Sequence, residues 1–388
     1  MFTKLLFWFS FCFILYTYLG YPCLLFVWSK LLQRRVSKRS LSPEPLVSVI
    51  ISSRNEEAHI EKRILNLLEQ DYPLEKMEII VVSDGSTDAT ADIVRRFITG
   101  AIKPSFSGWD GESGLKLITI DVTKGKAHSL NVAVVQATGE YLVLTDSRQV
   151  FHRSAIRELL GNFADPTVGC VSGELVFHED SVTAIKTEMG LYWNFEKWVR
   201  RMESDIDSVP GVTGAIYAIR KSLFTPVPEN TILDDVFLPM MVVFQGYRTI
   251  FDAKAIAYDS ISKNFSMERS RKVRTLVGNY QLVRILPQLL SPATNRLFFR
   301  FISHKLFRLF VPFFFIMFIF TSATVGELFY QFVFFSTLFV LILAAFDKWL
   351  SPVPWAARLS KAVRSFASLN YFAFLAFLAL FQRNRKIW

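Results

Sequence analysis

Leu5 to Ser29 contains no Asp, Glu, Lys or Arg. An uncharged helix of about 25 residues is long enough to cross a hydrocarbon core, and longer than a signal-peptide core. No small-residue cleavage site follows it. Three more uncharged runs, Leu309–Gly326, Leu328–Phe346 and Ser365–Phe381, lie near the C-terminus. Each is close to the minimum length for a span. Residues 45–290 are an ordinary mixture of polar and apolar types. The predicted layout is a transmembrane anchor at 1–30, a soluble domain at 45–290, an interfacial helix at 291–308 and a transmembrane bundle at 309–388.

The charges orient this layout. The chain has 44 Lys and Arg against 34 Asp and Glu, a net charge of +10. Lys30, Arg34, Arg35, Lys38 and Arg39 follow the first run, where only Lys4 precedes it, and Arg296, Arg300, Lys305 and Arg308 precede the second. Basic residues beside spans stay on the cytosolic side. The soluble domain is therefore expected on the cytosolic face of the plasma (inner) membrane, in a multi-pass protein. The basic balance then needs no nucleic-acid partner. Three later spans would put Arg383, Arg385 and Lys386 on the far side; either one run does not cross fully or the tail departs from the rule. Asn295–Lys305 mixes cationic and aromatic residues at helical spacing, as helices in the headgroup layer do. Trp355–Arg364 reads the same way, or as a connector with a basic face. The three cysteines, Cys12, Cys23 and Cys170, match neither a disulfide framework nor a zinc spacing.

Within 45–290 the pattern alternates. Val47–Ser52, Glu78–Ser83, Lys116–Ile120 and Tyr141–Thr145 are short apolar runs rich in β-branched residues, which predicts strands. Helical stretches separate them: His59–Glu69 with Ile60, Ile64, Leu67 and Leu68 on one face, then Ala89–Phe97 and Ala127–Gln136. Such alternation predicts an α/β, Rossmann-like, mostly parallel sheet, which binds ligands beyond the carboxyl ends of its strands. Asp84 and Asp146 fall at two such ends.

The run VSVIISSRNEE followed by EIIVVSDGSTDAT resembles the opening of family 2 glycosyltransferases, inverting enzymes of GT-A fold that include cellulose, hyaluronan and poly-N-acetylglucosamine synthases. The resemblance extends roughly from Pro45 to Gln281. It implies that Asn55, Glu56 and Asp84 contact the base and ribose of a nucleotide-sugar. The local alternatives are a turn residue at Asp84 and a helix cap at Asn55-Glu56. Lys124-Gly125-Lys126 with Leu130-Asn131 resembles a segment whose lysine, here Lys126, meets the diphosphate. Asp146 stands where the family's DxD metal motif begins, but Asp146-Ser147-Arg148 lacks the second carboxylate. Mg2+ or Mn2+ at Asp146 is therefore implied in weakened form, with Arg148 as a substitute source of positive charge.

Gly211–Tyr217 resembles the strand that carries the acceptor-binding Thr213-Gly214 step. Asp234-Asp235 matches the family's acidic pair, with Asp235 as general base. Arg271 and Arg274 align with the family's QRxRW segment, with Arg274 on the leaving diphosphate. Thr275 replaces the tryptophan, which removes the aromatic face that processive synthases place there. Tyr192, Trp193, Phe195 and Trp198 around Glu196 are either a sugar platform or a membrane-facing cluster. The expected partners are a nucleotide-sugar, a growing glycan or lipid acceptor, the bilayer and other synthase subunits or a second copy. The expected function is inverting sugar transfer in polysaccharide synthesis. Alternatives are single-sugar transfer to a polyprenyl phosphate, diacylglycerol or ceramide, or a non-catalytic scaffold subunit.

Overall fold

A computed structural model describes residues 1–102, 114–177, 184–259, 265–345 and 354–381. The basic tail at Arg383, Arg385 and Lys386, and the side chain of Tyr192, lie outside the described residues. One sheet of 8 strands organises the soluble part, in the order β3-β2-β1-β4-β7-β6-β8-β5. The strands are β1 Val47–Ser53, β2 Met77–Asp84, β3 Leu115–Ile120, β4 Tyr141–Thr145, β5 Val150–Phe151, β6 Val168–Phe177, β7 Tyr217–Arg220 and β8 Arg248–Asp259.

The four expected strands form the parallel half, where β1 pairs with both β2 and β4, and β2 with β3. Both faces of β1 are buried, as in parallel sheets generally. Val47, Val49 and Ile51 pack with Ile60, Ile64, Val94 and Phe97 from helices α2 (Ile60–Leu68) and α3 (Thr90–Ile98). Ile50 faces the other way, toward α4 (Lys126–Gln136) and α7 (Asp234–Phe244). Helix α5 (Ala155–Gly161) follows β5. The other half of the sheet turns antiparallel at the β4–β7 and β7–β6 pairings. This curl brings α7 and the loop before β7 to the carboxyl ends of β1, β2 and β4.

The long apolar helices flank this domain in sequence. α1 (Phe2–Leu31) and α9 (Phe298–Thr324) are each long and apolar enough to cross a membrane, as is Ser360–Ala379 within α11 (Pro354–Ala379). The run after Glu327 forms a shorter apolar helix inside α10 (Leu328–Ala345). α1 packs along α9 through aromatic pairs such as Phe13–Phe314, with ring centroids 4.0 Å apart. Large apolar residues point outward, among them Phe320, Phe332 and Phe335, each at least 65% exposed. Soluble proteins rarely show such a band. Trp355–Arg364 forms the opening turns of α11.

The segment expected as a separate interfacial helix is instead the beginning of α9. Residues 298–306 run without a break, through one π turn, into the apolar helix. The reason is local. His304 is buried against α6 (Ala184–Ile206), Ser303 is buried beside the Tyr16 hydroxyl of α1 at 2.8 Å, and Asn295 is buried where its side chain caps the turn before α9 by accepting from Leu297 N at 2.9 Å. The basic flanks also do more than mark a membrane side. Arg34 and Arg296 pair with Asp207, and Lys38 with Glu158 and Asp252, so they fasten the helix ends to the domain.

Gly85, in the turn after β2, has φ of 61° and donates to Ile120 O at 2.8 Å. A methyl group there would sit 2.5 Å from Thr123 N. Gly85→Ala should therefore lower the thermal midpoint of the solubilised protein by about 2 °C or more, since left-handed strain costs on the order of 1–3 kcal/mol. An unchanged midpoint would mean that the turn relaxes freely.

Candidate active site

The turn after β2 and the loop after β1 are laced together. Asn55 takes a left-handed backbone with φ of 54°, which asparagine tolerates better than most residues. Its Oδ1 accepts from Thr87 N at 2.9 Å, and Glu56 N donates to Thr90 Oγ1 at 2.8 Å. Burial pushes the Glu56 carboxyl above its ordinary range, with Arg148 opposing the shift. Asp84 is only 3% exposed. Thr123 Oγ1 donates to its carboxylate at 2.9 Å, and the N–H groups of Lys124 and Gly125 do so at 2.8 Å. Asp84 thus serves as the anchor of the 123–125 loop that carries Lys126, while Asn55 and Glu56 stay at the opening.

Lys126 opens α4 and reaches across the carboxyl ends of the strands. Its Nζ lies 2.9 Å from Asp146 Oδ1 and 3.5 Å from Asp234 Oδ2. Tyr217 on β7 also donates to Asp234 Oδ2, at 3.3 Å. Loss of water works against the charge on Lys126, but Asp146 and Asp234 outweigh it and push its pKa up. Burial would likewise raise Asp146; Lys126, Arg148 and Arg274 overcome it and hold this acid below its usual range.

The strand end carrying Asp146 is fixed from beneath. Thr145 Oγ1 donates to Ala215 O at 2.7 Å, joining β4 to the residues after Gly214. Arg63 on α2 is buried, with Nη2 donating to Thr145 Oγ1 at 2.9 Å and Nη1 to Gln149 O at 3.0 Å. Its guanidinium lies 3.9 Å from the Phe151 ring centroid, and burial drops its pKa to about 9. Arg63 falls three residues after Ile60 on the buried stripe of α2, so its position was visible as a charge on an apolar face.

Asp235 meets the 211–214 step through its main chain as well as its side chain. Pro239 lies four residues after Asp235 in α7 and has no N–H, so it cannot close the usual helical bond. The free Asp235 carbonyl accepts from Val212 N at 2.8 Å. Gly214 then passes so close that a methyl group on it would be 3.3 Å from Asp235 Oδ2. Thr213 N donates to Ser172 Oγ at 3.0 Å, and Arg200 Nη1 donates to Thr213 Oγ1 at 2.7 Å. Burial and then the neighbouring Asp234 raise the Asp235 carboxyl to about 6, with Lys126, Lys305 and Arg200 opposing.

The structure therefore brings together Lys126, Asp146, Thr213, Gly214, Asp234 and Asp235. Arg274 is exposed on α8 (Phe265–Ile285), close enough to act on Asp146 through its charge. Arg271 lies one turn earlier, where its carbonyl accepts from Thr275 Oγ1 at 3.0 Å. Helix α8 rests on α11, with Arg269 over the Tyr371 ring and Lys272 over Phe372. Asn131, beside Lys126 in sequence, exchanges two 2.8 Å bonds with the Val227 main chain and so has a structural task. Trp193 donates to Leu175 O at 2.9 Å, and Phe195 packs with Val199 and Met202, so these aromatics serve the fold. Among the described residues no group of three His, Cys, Asp or Glu is arranged to hold a metal ion. Arg148 stands in place of a second acid, and Ser147 between them bonds Ser53 at 2.8 Å. Asp146 gives Oδ1 to Lys126, which leaves Oδ2 as its oxygen for a cation. That suits an ion carried in with a diphosphate and water, since Mg2+ often takes only one or two protein carboxylates.

Sequence reasoning missed Arg63, Tyr217, Pro239 and Arg200 as members of this site. Asp84→Asn should loosen the 123–125 loop, because an amide puts its NH2 toward backbone donors. Bonds to a carboxylate are worth about 1.5–3 kcal/mol, so amide exchange at Lys124 and Gly125 should quicken by roughly tenfold or more. Unchanged exchange would remove Asp84 from this anchoring role.

Residues 48–226 match the family model described as Glycosyl transferase family 2. Over 278 residues the chain is 26% identical to the "Probable glycosyltransferase YdaM" of Bacillus subtilis (strain 168), covering 68% of this chain and 62% of the relative. It is 23% identical over 241 residues to the poly-beta-1,6-N-acetyl-D-glucosamine synthase of Staphylococcus aureus (strain COL), covering 61% of this chain and 55% of that synthase. The matched region thus spans less than two thirds of either relative. The solved mannosyltransferase PcManGT from Pyrobaculum calidifontis, in complex with GDP-Man and Mn2+, superposes with a TM-score of 0.71 over 98% of this chain and 100% of that one, at 22% identity. Residues 48–226 thus match the Glycosyl transferase family 2 model, and the chain shares the fold of that mannosyltransferase, with strand ends, acids and curled sheet arranged as described.

Proposed function

We propose that this chain transfers a sugar, with inversion, from a nucleotide-sugar to a growing glycan or lipid-linked acceptor at the cytosolic face of a membrane, in polysaccharide synthesis. The observation that carries the reading is the placing of Asp235. It is an acid poised near pH 6, held at the Thr213-Gly214 step, with Lys126 and Asp146 on the donor side. The solved mannosyltransferase of like fold was captured with GDP-Man and Mn2+, which supports a nucleotide-sugar and a divalent ion here as well. The cytosolic assignment is supported by the basic residues beside α1 and α9.

Asn55 and Glu56 line the opening for the base and ribose, and Asp84 acts through the loop that it holds. Lys126 and Arg274 offer positive charge to the diphosphate. Arg148 lies beside Asp146 and adds to that field. A divalent ion held by Asp146 would neutralise charge on the phosphates. Asp235 accepts the proton of the acceptor hydroxyl as its oxygen bonds to the sugar's anomeric carbon. The bond from that carbon to the diphosphate breaks with its electron pair on the departing nucleoside diphosphate. Attack from the face opposite the leaving group inverts the centre.

Asp235 must be ionised to accept a proton, so activity should fall as pH drops through about 6. Asp234→Asn removes the anion that raises this carboxyl, so the acid limb should move to lower pH. A limb that stays put, or moves upward, would contradict the assignment. Asp235→Asn should cut nucleoside diphosphate release from a panel of UDP-, GDP- and dTDP-sugars by roughly 100-fold or more. Unaltered release in that variant would exclude Asp235 as the base. Absence of release from every donor by the unaltered protein, with membrane extract added, would favour the scaffold alternative.

A second measurement addresses the ion. The protein offers one carboxylate, and donor phosphates supply most other ligands. After EDTA treatment, the half-saturating Mg2+ or Mn2+ concentration should fall as donor concentration rises. An ion affinity independent of donor would point to a complete protein site.

A further inference from the structure

The segment that leads into the acids of α7 has no strand or helix of its own. Residues 228–230 are exposed, and Asn230 takes a left-handed backbone with φ of 62°. Within the loop, Thr231 closes a turn on Pro228 O. Ile232 and Leu233 then enter α7, whose first turn is closed by Phe237 N donating to Leu233 O at 2.9 Å. Asp234 and Asp235 are the next two residues. An exposed loop with few internal bonds opens at low cost, and the turn beside it moves with it. Whatever holds this loop therefore sets Asp235 from the loop side.

That hold comes from α8. Gln281 Oε1 accepts from Ile232 N at 2.9 Å, and its Nε2 donates to Asn230 O at 2.8 Å. A primary amide can accept and donate at once, so one side chain clamps both ends of a three-residue stretch. Gly278, one turn earlier, lets the helix come close. A methyl group on it would lie 2.6 Å from Leu233 Cγ and 3.0 Å from Ile232 Cγ2. Arg274, Gly278 and Gln281 follow the spacing i, i+4, i+7, so they share one face of α8. The face that bears Arg274, whose charge acts on Asp146, thus also bears the clamp on the approach to Asp235. The contacts from the sheet side are different ones. Lys126 and Tyr217 meet the Asp234 carboxylate, and Val212 meets the Asp235 carbonyl. None of these three bonds residues 230–233.

We propose that Gln281 is a positioning residue for the transfer. By clamping residues 230–232 it sets where the first turn of α7 presents Asp235, and it ties that placement to the helix that carries Arg274. The base and a cation for the leaving diphosphate are then spaced by one element. The proposal rests on the reading of Asp235 as the base and extends it to a residue that acts through another.

The test compares the full chain in nanodiscs with two variants. Gln281→Met keeps the length and helix preference of the side chain but loses both bonds. Gln281→Glu keeps only the bond from Ile232 N. Nucleoside diphosphate release is followed with whichever of the UDP-, GDP- and dTDP-sugars the unaltered protein turns over. A misplacement of about 1 Å costs up to roughly 100-fold in rate, so Gln281→Met should lower kcat by about tenfold to a hundredfold. Donor KM should stay near that of the unaltered protein, because Lys126 and Asp146 are held by other contacts. Gln281→Glu should recover part of the loss. A staple that serves stability alone would lower the thermal midpoint and leave kcat per folded protein as it was, and that result overturns the proposal. Amide exchange at Ile232, read by mass spectrometry without turnover, should quicken by roughly threefold to tenfold in Gln281→Met. Unchanged exchange there means that no clamp exists and also overturns the proposal. Asp235→Asn separates the two readings. If that variant loses release while Gln281→Met keeps it, the base stands and the clamp fails. If Asp235→Asn releases nucleoside diphosphate as the unaltered protein does, or no donor is turned over at all, the base reading fails and the proposal falls with it.

Discussion

The ammonium of Lys126 between Asp146 and Asp234 is the contact on which the site depends. It joins the parallel half of the sheet, through β4, to the antiparallel half, through α7. Two carboxylates brought so close would repel each other without it. Asp234 is buried while Lys126 and Asp146 are about a third exposed, so water screens the cluster in part and the fixed strand ends share in holding its geometry. The same field leaves Asp146 ionised and Asp235 poised higher, which separates the roles of two acids of one residue type.

A second set of contacts ties this site to the apolar helices. Pro239 releases the Asp235 carbonyl to Val212, Arg200 grips Thr213, and Glu196 and Glu203 of α6 clasp His304 of α9. Any tilt of α9 against the domain would therefore strain the turn that faces Asp235. Helix α8, which carries Arg271 and Arg274, rests on α11 by cation–π contacts. Apolar helices thus support both sides of the crevice.

The parallel half of the fold was legible because its strands are buried on both faces and read as unbroken β-branched runs. The curled half was not. β5 has two residues, β7 has four, and β8 follows no simple alternation. The site was legible where a motif placed an acid at a strand end, as at Asp146, or at a helix start, as at Asp234 and Asp235. At Asp84 the motif gave no sign of a structural task, for its oxygens also hold the backbone of a loop some 40 residues later. The segment at 291–308 was read as a helix of its own, but residues 298–306 continue into α9, where buried carboxylates on α6 hold His304.

The order of residues alone determined which stretches could enter a membrane and which would alternate as strand and helix, because length, charge and hydrophobic period are local properties. It also determined which acids end strands. Only the tertiary structure decided which charges meet. Lys126, Asp146 and Asp234 come from different elements, as do Arg200, Lys305 and Asp235. Their mutual fields depend on distances of a few ångströms that sheet curl and helix docking set. Charge interactions strengthen steeply as separation and local dielectric fall, so the chemistry of each acid became specific only once the chain had folded around it.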